Sequence, residues 1–160
     1  VNGEPVTETP QPGSYHELRR RWTAGDAVRL ELHMAPRALQ SHPRVSDSRG
    51  CVALQRGPLV YCFESPDNPE VAVADLVLAL DSSAQGGGFE AEWRPDMLGG
   101  VTVLRGPGMV PESPADAEPL YRWWDRAPAP GMRAVTVTAI PYYAWANRGP
   151  STMRVWTPWR

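Results

Sequence analysis

The sequence predicts an all-β fold, an antiparallel β-sandwich of jelly-roll-like form with little or no helix. Eighteen prolines and 14 glycines are spread through the 160 residues, which leaves few windows long enough for a helix. Short runs with period-two alternation are common instead, and this alternation is typical of half-buried strands. Many short strands with turn signals at close spacing favour a sandwich.

The first clear strand pattern is at residues 28–34. Aliphatic side chains at every second position alternate there with Arg29, Glu31 and His33, and Gly25-Asp26 marks a turn just before. Further upstream, Asn2-Gly3 is a hairpin-turn dipeptide that has only one residue before it. We therefore expect the chain to be cut from a longer polypeptide, with a strand preceding this turn.

The next candidate strands are residues 51–55 and 59–63, which flank Arg56 and Gly57-Pro58. This arrangement is either a hairpin or one strand kinked at Gly57-Pro58. If a hairpin is centred on Arg56 and Gly57, Cys51 and Cys62 become cross-strand neighbours, because both lie equally far from the centre.

Later strands are predicted at residues 76–80, 88–94, 101–104, 120–124, 133–140 and 153–156. The proline-rich stretch 107–119 predicts a surface loop, and the glycines at 85–88 predict a flexible tip. Polar residues cluster at 36–50. They indicate either loops of one sandwich domain spanning 1–160 or a seam that divides two small sandwiches.

Composition argues against several classes of partner. The formal net charge is −2, so the overall charge gives no nucleic-acid-binding signal. No apolar run approaches the ~20 residues of a membrane span, and the N-terminal residues do not resemble a signal peptide. A cytoplasmic location without membrane contact is therefore expected. The sequence also contains no GxGxxG, P-loop or GxSxG motif.

Side chains suited to metal binding or catalysis are few. His33, His42 and Cys51 are nine residues apart, a spacing with no local geometric meaning, so no metal site is predicted. The two cysteines form no CxxC motif, and buried free thiols are favoured over a disulfide. Glu90 and Glu92 share one face of a predicted strand, which indicates a solvated face rather than the carboxyl pair of a glycosidase.

Aromatic residues give the richest signal, with seven Trp and five Tyr. The tryptophans are predicted to fill the core or an interface. As the alternative, Tyr121, Trp123 and Trp124 form a stacking platform for sugar rings, and the Trp156/Trp159 pair forms another.

Several blocks in order along the chain carry a family resemblance. Tyr15–Trp22 with Gly25-Asp26 is the first, residues 52–62 are the second, and Asp67-Asn68 follow. The last are residues 141–149 and 153–156. Together they resemble the C-terminal β region of the bacterial β-L-arabinofuranosidases, glycoside hydrolase family 127, formerly a domain of unknown function.

The resemblance implies a division of labour. Enzymes of this family carry a large (α/α)₆ barrel, followed by β-sandwich domains, and their zinc ion, cysteine nucleophile and glutamate acid/base lie on the barrel. This chain has no adjacent cysteine pair and no Glu-x-Cys, so it carries no catalytic residue of the family. The resemblance thus implies a non-catalytic accessory domain without cofactor. Its expected partners are the catalytic barrel of the same parent protein, a second copy in a homodimer, and arabinose-containing glycans.

The segment 141–149 is the predicted interaction surface. We expect it to close the local core in part and to face the absent barrel in part, using Tyr142, Tyr143, Trp145, Asn147 and Arg148. The guanidinium of Arg148 suits a planar, multidentate contact, and the stretch from Asn147 to Gly149 suits a turn. The expectation fails if Trp145 and Arg148 point into solvent without partners. The alternative function is that of a carbohydrate-binding module with an exposed aromatic platform.

Overall fold

The structure is a computed structural model that describes residues 1–112, 121, 123 and 131–160. The chain divides into two compact units, Val1–His33 and Met34–Arg160. The boundary between them lies just before the polar stretch at 36–50. Whether the chain comprises two small sandwiches stays a prediction.

The small unit has no strand among its residues, all of which are described. Its first turn is the one that Asn2-Gly3 predicts. Both residues have positive φ, 52° and 87°, and the Glu4 N–H donates to the Val1 carbonyl at 2.9 Å. This is the geometry of a type I′ turn. The described residues do not form the strand predicted at 28–34, because no neighbouring strand among them pairs with its backbone.

The described residues of the large unit form nine strands. They are β1 (Pro36–Gln40), β2 (Cys51–Arg56), β3 (Leu59–Glu64), β4 (Val77–Leu78), β5 (Glu90–Arg94), β6 (Val101–Pro111), β7 (Met132–Pro141), β8 (Met153–Arg154) and β9 (Thr157–Pro158). The main sheet order is β1-β2-β3-β7-β6-β4, with β5 on β6, β8 on β3 and β9 on β2. Every pairing between these strands is antiparallel.

The predicted all-β, antiparallel fold class is confirmed. The described residues contain no α-helix, and their helical turns are short 3₁₀ segments: Ser46–Ser48, Ser65–Asp67, Val73–Asp75, Gln85–Gly88 and Tyr142–Ala144. No helix in the described part of the chain is long and apolar enough to cross a membrane. The sheet curls, which is compatible with the predicted sandwich.

Residues at the C-terminal end complete the curl. β9 pairs with β2, and the next residues bridge to β4, where the Arg160 N–H donates to the Leu78 carbonyl at 3.0 Å. The Leu80 N–H in turn donates to the Arg160 carbonyl at 3.1 Å. The pairings therefore run in a closed circuit from β2 through β3, β7, β6 and β4 back to β2, which reduces the number of open strand edges.

The segment around Gly57-Pro58 is a hairpin, not one kinked strand. Arg56 pairs with Leu59, so the loop has two residues, and Gly57 takes a positive φ of 56° that suits glycine. The turn centre lies one residue beyond the assumed one. The expected pairing of the two cysteines is therefore wrong: Cys51 lies opposite Pro158, Cys62 lies opposite Ile140, and both thiols are free.

Some of the other strands begin and end where the sequence predicts, and others do not. The strands predicted at 76–80, 88–94, 133–140 and 153–156 are present as β4, β5, β7 and β8. The loop predicted at 107–119 is wrong at its start, because β6 continues to Pro111 in register with β7. Residues 113–119 lie outside the described part, as does the predicted strand at 120–124 apart from Tyr121 and Trp123. Strands β1 and β9 have no counterpart in the sequence prediction.

The described residues form two apolar clusters, which lie on opposite faces of β3. The larger contains Val52, Leu54, Tyr61, Phe63, Val71, Val73, Leu76, Leu78, Phe89, Leu104, Val110, Val137 and Ala139. The smaller contains Cys62, Val101, Val103, Ile140 and Ala144. Tyr61 and Phe63 thus enter the larger cluster and Cys62 the smaller one, as the period of two requires, and β3 is buried from Tyr61 to Glu64.

Gly106 permits the close approach of β6 to an aromatic ring of the larger cluster. A Cβ atom at this position would lie 2.5 Å from two carbons of the Phe89 ring. We expect Gly106→Ala to lower the free energy of unfolding by about 1–3 kcal/mol, measured by urea denaturation, because the core is overpacked. In a Phe89→Ala background the loss should shrink. An equal loss in both backgrounds would contradict the steric explanation.

Candidate functional site

The candidate surface follows directly from the end of β7. Pro141, the last residue of β7, pairs with Tyr61 on β3 and is followed by the 3₁₀ turn Tyr142–Ala144. Ala144 is buried in the smaller core cluster. This buried side chain anchors the segment, and the larger aromatic side chains on either side of it are directed outward.

Arg148 connects this segment to the region after β3. Its guanidinium binds Asp67 in a bidentate manner, with Nη1 to Oδ1 at 2.6 Å and Nη2 to Oδ2 at 2.5 Å. The same Nη2 donates to Oε2 of Glu64 at 2.8 Å. The Glu64 side chain is fully buried and that of Asp67 is 4% exposed. One arginine therefore neutralises part of a paired and largely desolvated carboxylate site.

The second oxygen of Glu64 is also satisfied. Oε1 accepts a hydrogen bond from the Ala146 N–H at 3.1 Å and another from the Ser151 hydroxyl. Burial acts to raise the pKa of Glu64, but the hydrogen bonds from Ser151, Ala146 and Arg148, with the positive charge of Arg148, together lower it. Glu64 is thus held as a carboxylate at neutral pH. The hydrogen bonds with Asp67, followed by those with Glu64, raise the pKa of Arg148.

Asn68 is buried beneath this ion cluster and holds two strands together. Its Nδ2 donates to the carbonyls of Glu64 and Thr138, each at 2.9 Å, and its Oδ1 accepts from the Thr138 N–H at 2.9 Å. Every polar atom of the Asn68 amide group is therefore used. The amide fixes the end of β3 against β7, which positions Glu64 for Arg148.

An aromatic patch lies on the same segment. The rings of Tyr142 and Trp145 are nearly parallel, with an interplanar angle of 9° and centroids 6.2 Å apart. Both side chains are about half exposed, and Tyr143 is 67% exposed. We call Tyr142, Tyr143 and Trp145 the aromatic patch. Asn147 is exposed beside it. Exposed aromatic side chains close together in the sequence are typical of interaction sites.

Trp145 and Arg148, on which the sequence expectation depends, both have partners among the described residues. Trp145 stacks on Tyr142, and Arg148 binds Asp67 and Glu64, so neither points into solvent unpaired. Sequence reasoning missed Glu64 and Ser151. The available signal was the position of Glu64 directly after the apolar run of β3, where a carboxylate requires a partner if it is buried.

The alternative stacking platform is described only in part. Tyr121 and Trp123 are highly exposed, and Trp124 lies outside the described residues. Of the core and the interface that the sequence predicts for tryptophans, the core is excluded for Trp22, Trp93 and Trp159, each more than 40% exposed, and an interface stays a prediction. These rings remain available to partners.

The described residues do not fit a zinc site, because nowhere among them do three His, Cys, Asp or Glu side chains come together. Glu90 is exposed, and Glu92 lies 3.8 Å from both Arg94 and Arg105 in partly exposed ion pairs. These contacts are typical of a solvated strand face.

Cys62 is fully buried, and burial together with the charges of Glu64 and Asp67 raises its pKa to about 12. We expect the Cys62 thiol to resist alkylation by iodoacetamide at pH 8 in the folded chain, because the thiolate is the reactive form. Cys51 is only partly buried and serves as the internal control. Mass spectrometry should find one modified cysteine in the native state and two after unfolding. Rapid native labelling of Cys62 would contradict this assignment.

Comparison with known proteins agrees with this architecture. Residues 36–158 match the family model for the glycoside hydrolase family 127 C-terminal domain. The chain belongs to glycoside hydrolase family 127. The family model covers the large unit and begins after the small one.

Three relatives give the family 127 chain its context. It is 37% identical over 161 residues to a non-reducing end beta-L-arabinofuranosidase of Bifidobacterium longum, covering 97% of this chain and 23% of that protein. It is similar to the crystal structure of a GH127 beta-L-arabinofuranosidase from Geobacillus stearothermophilus T6, with a TM-score of 0.68 and 39% identity, covering 79% of this chain and 18% of that one. It is also similar to a solved structure of a glycoside hydrolase, with a TM-score of 0.74 and 31% identity. This match covers 99% of this chain and 25% of that one. The family 127 chain thus spans a quarter or less of these relatives.

Proposed function

We propose that this chain is the non-catalytic C-terminal part of a larger family 127 hydrolase that removes β-L-arabinofuranosyl residues. In this proposal the chain supports the catalytic barrel, and the barrel alone holds zinc and the catalytic residues. The match to the C-terminal domain, with the short share of each relative that the chain spans, carries the proposal. Dimerisation and a cytoplasmic location belong to the same proposal.

The aromatic patch is the surface proposed to contact the barrel. Its rings are exposed in this chain, whereas the backbone beneath them is fixed by Ala144 and by the Arg148 ion cluster. A rigid support under exposed aromatic side chains lowers the entropic cost of association. Aromatic residues and arginine are also enriched at protein interfaces.

The function is tested by comparing the 160-residue chain with the full-length parent polypeptide. On a nitrophenyl β-L-arabinofuranoside, we expect turnover by the parent and none by this chain. Turnover by the chain alone would refute the non-catalytic role, and an inactive parent would refute the substrate class.

The docking surface is tested by a pair of Tyr→Ser variants in the parent. Tyr143→Ser should lower the thermal unfolding midpoint of the parent, because burial of such a side chain stabilises by about 1.5–3 kcal/mol. It should leave that of the isolated chain nearly unchanged. Tyr121→Ser, at an exposed tyrosine outside the aromatic patch, is the control and should leave both midpoints unchanged. Equal effects of the two variants would contradict docking through the aromatic patch.

The exposure of Tyr121 and Trp123 favours a second candidate, a carbohydrate-binding role. Isothermal titration of the chain with arabino-oligosaccharides separates the two proposals. Heat that is lost in Tyr121→Ser would support sugar binding. The absence of heat at millimolar ligand would contradict it.

A further inference from the structure

An apolar stripe with strand periodicity is uncovered in the small unit. Val28, Leu30 and Leu32 are 56%, 73% and 67% exposed, whereas Arg29 and Glu31 between them form an ion pair at 2.7 Å. Three aliphatic side chains in strict alternation favour a strand with one buried face. In the described residues that face is exposed to water, at a cost that burial against a sheet removes.

The backbone of this stripe is equally unpartnered. Asn2 engages both backbone groups of Ala27, donating its N–H to the Ala27 carbonyl at 2.9 Å and accepting from the Ala27 N–H through Oδ1 at 2.8 Å. From residue 28 to residue 33, no backbone–backbone hydrogen bond joins the segment to the rest of the small unit, all of which is described. A segment with free backbone groups and an apolar face fits the edge of a sheet.

The comparisons indicate where that sheet lies. The C-terminal-domain match begins at residue 36, after the stripe. The Bifidobacterium relative nevertheless aligns with 97% of this chain, so the alignment includes the small unit. More than three-quarters of that relative lies outside the alignment. The stripe thus corresponds to a part of the relative that precedes the C-terminal domain and has more polypeptide available to pair with it.

We propose that Val28, Leu30 and Leu32 form the buried face of a β-strand in a sheet whose other strands belong to the part of the parent polypeptide outside this chain. This inference rests on the proposed function only in requiring a larger parent protein. The partner is a β-sheet edge with an apolar face. Arg29 and Glu31 then lie on the opposite face of that sheet.

Hydrogen exchange followed by mass spectrometry tests the strand. In the full-length parent, the amides of residues 28–33 should exchange about 100-fold more slowly than in the 160-residue chain, because ladder hydrogen bonds protect them. Equal exchange in both proteins would overturn the proposal. Protection in the isolated chain would also overturn it, and a dependence of that protection on concentration would identify a second copy as the partner.

Substitutions at two neighbouring residues test which face of the proposed strand is buried. In the parent, Leu30→Asn should lower the thermal midpoint and abolish protection at 28–33, whereas Glu31→Gln should do neither. In the isolated chain both variants should be silent, since both side chains are exposed. Equal sensitivity of the parent to the two changes would overturn the proposed orientation. Arabinofuranoside turnover, measured in parallel, reports separately on the proposed function.

Discussion

Replacing Arg148 by Met is expected to lower the free energy of unfolding of this chain by about 3–5 kcal/mol. The guanidinium binds two carboxylates that are 0% and 4% exposed, and removing it leaves both charges desolvated without their counter-ion. Met retains much of the aliphatic volume, so the loss reports on the charge rather than on packing. Urea denaturation at pH 7, followed by circular dichroism, measures it.

The pH dependence of the stability loss in Arg148→Met shows whether the ionised carboxylate of Glu64 causes it. In the native chain the pKa of Glu64 lies below its usual value. Its stabilising contribution is therefore fully present above the unfolded pKa of about 4.3 and is lost as the pH falls through the folded pKa. Without Arg148 the pKa of Glu64 rises. As the pH falls, Glu64 is therefore protonated at a higher pH in the variant, and this removes the unpaired buried charge that destabilises it. The difference in stability between the two proteins should be largest near pH 7 and should shrink below about pH 4.

Two variants control this prediction. Arg105→Met removes a pair whose atoms lie 3.8 Å apart and whose side chains are about half exposed, so it should change stability by less than about 1 kcal/mol. Arg148→Lys keeps the charge but loses the bidentate geometry, and an intermediate loss is expected. If Arg148→Met and Arg105→Met cost the same, the ion cluster does not stabilise the fold.

The fold class could be predicted because it depends on local patterns. The β2–β3 hairpin is one of the two alternatives predicted by the apolar runs that flank Gly57-Pro58, and the strand at 133–140 follows from alternating β-branched residues. The exact register could not be predicted, because a turn centre shifted by one residue changes every cross-strand neighbour. That shift is why Cys51 and Cys62 are not paired.

The strand predictions failed where the pairing strand was absent or was not expected. Residues 28–34 have a strand pattern, but no strand among the described residues pairs with them. Residues 107–111 have a loop composition, yet β7 pairs with them along their whole length. Strand formation depends on neighbours that the local sequence does not encode.

Of the candidate site, the sequence predicted the segment that carries Arg148 but not the carboxylates that bind it. The segment 141–149 was identified by its aromatic residues and Arg148, but the carboxylates that hold Arg148 are more than 80 residues away in sequence. A sequence pattern cannot specify a pair at that separation. The notable clue was Asp67-Asn68, whose two side chains perform different tasks: Asp67 binds Arg148 and Asn68 joins β3 to β7.

Asn68→Asp is expected to be as destabilising as the loss of Arg148, by about 3–5 kcal/mol at pH 7. The native Nδ2 donates to two carbonyl oxygens, at Glu64 and Thr138. A carboxylate oxygen in its place repels both, and the new charge is buried with one backbone donor, the Thr138 N–H. Thermal and urea unfolding of the variant measure the loss.

The sign of the pH effect is opposite for this variant and for native Glu64. Burial among acceptors raises the folded pKa of the introduced carboxyl above its unfolded value, so the destabilisation grows as the pH rises above about 4 and diminishes below it. Asn68→Ala, which leaves the same backbone groups unpaired but adds no charge, should cost about 1–3 kcal/mol without this pH dependence. Asn147→Asp, at an exposed position, should stay within about 0.5 kcal/mol of the native chain. If Asn68→Asp and Asn68→Ala lose the same stability at every pH, the introduced carboxyl carries no cost beyond the lost amide hydrogen bonds, and the buried, acceptor-rich environment inferred for Asn68 between β3 and β7 is wrong.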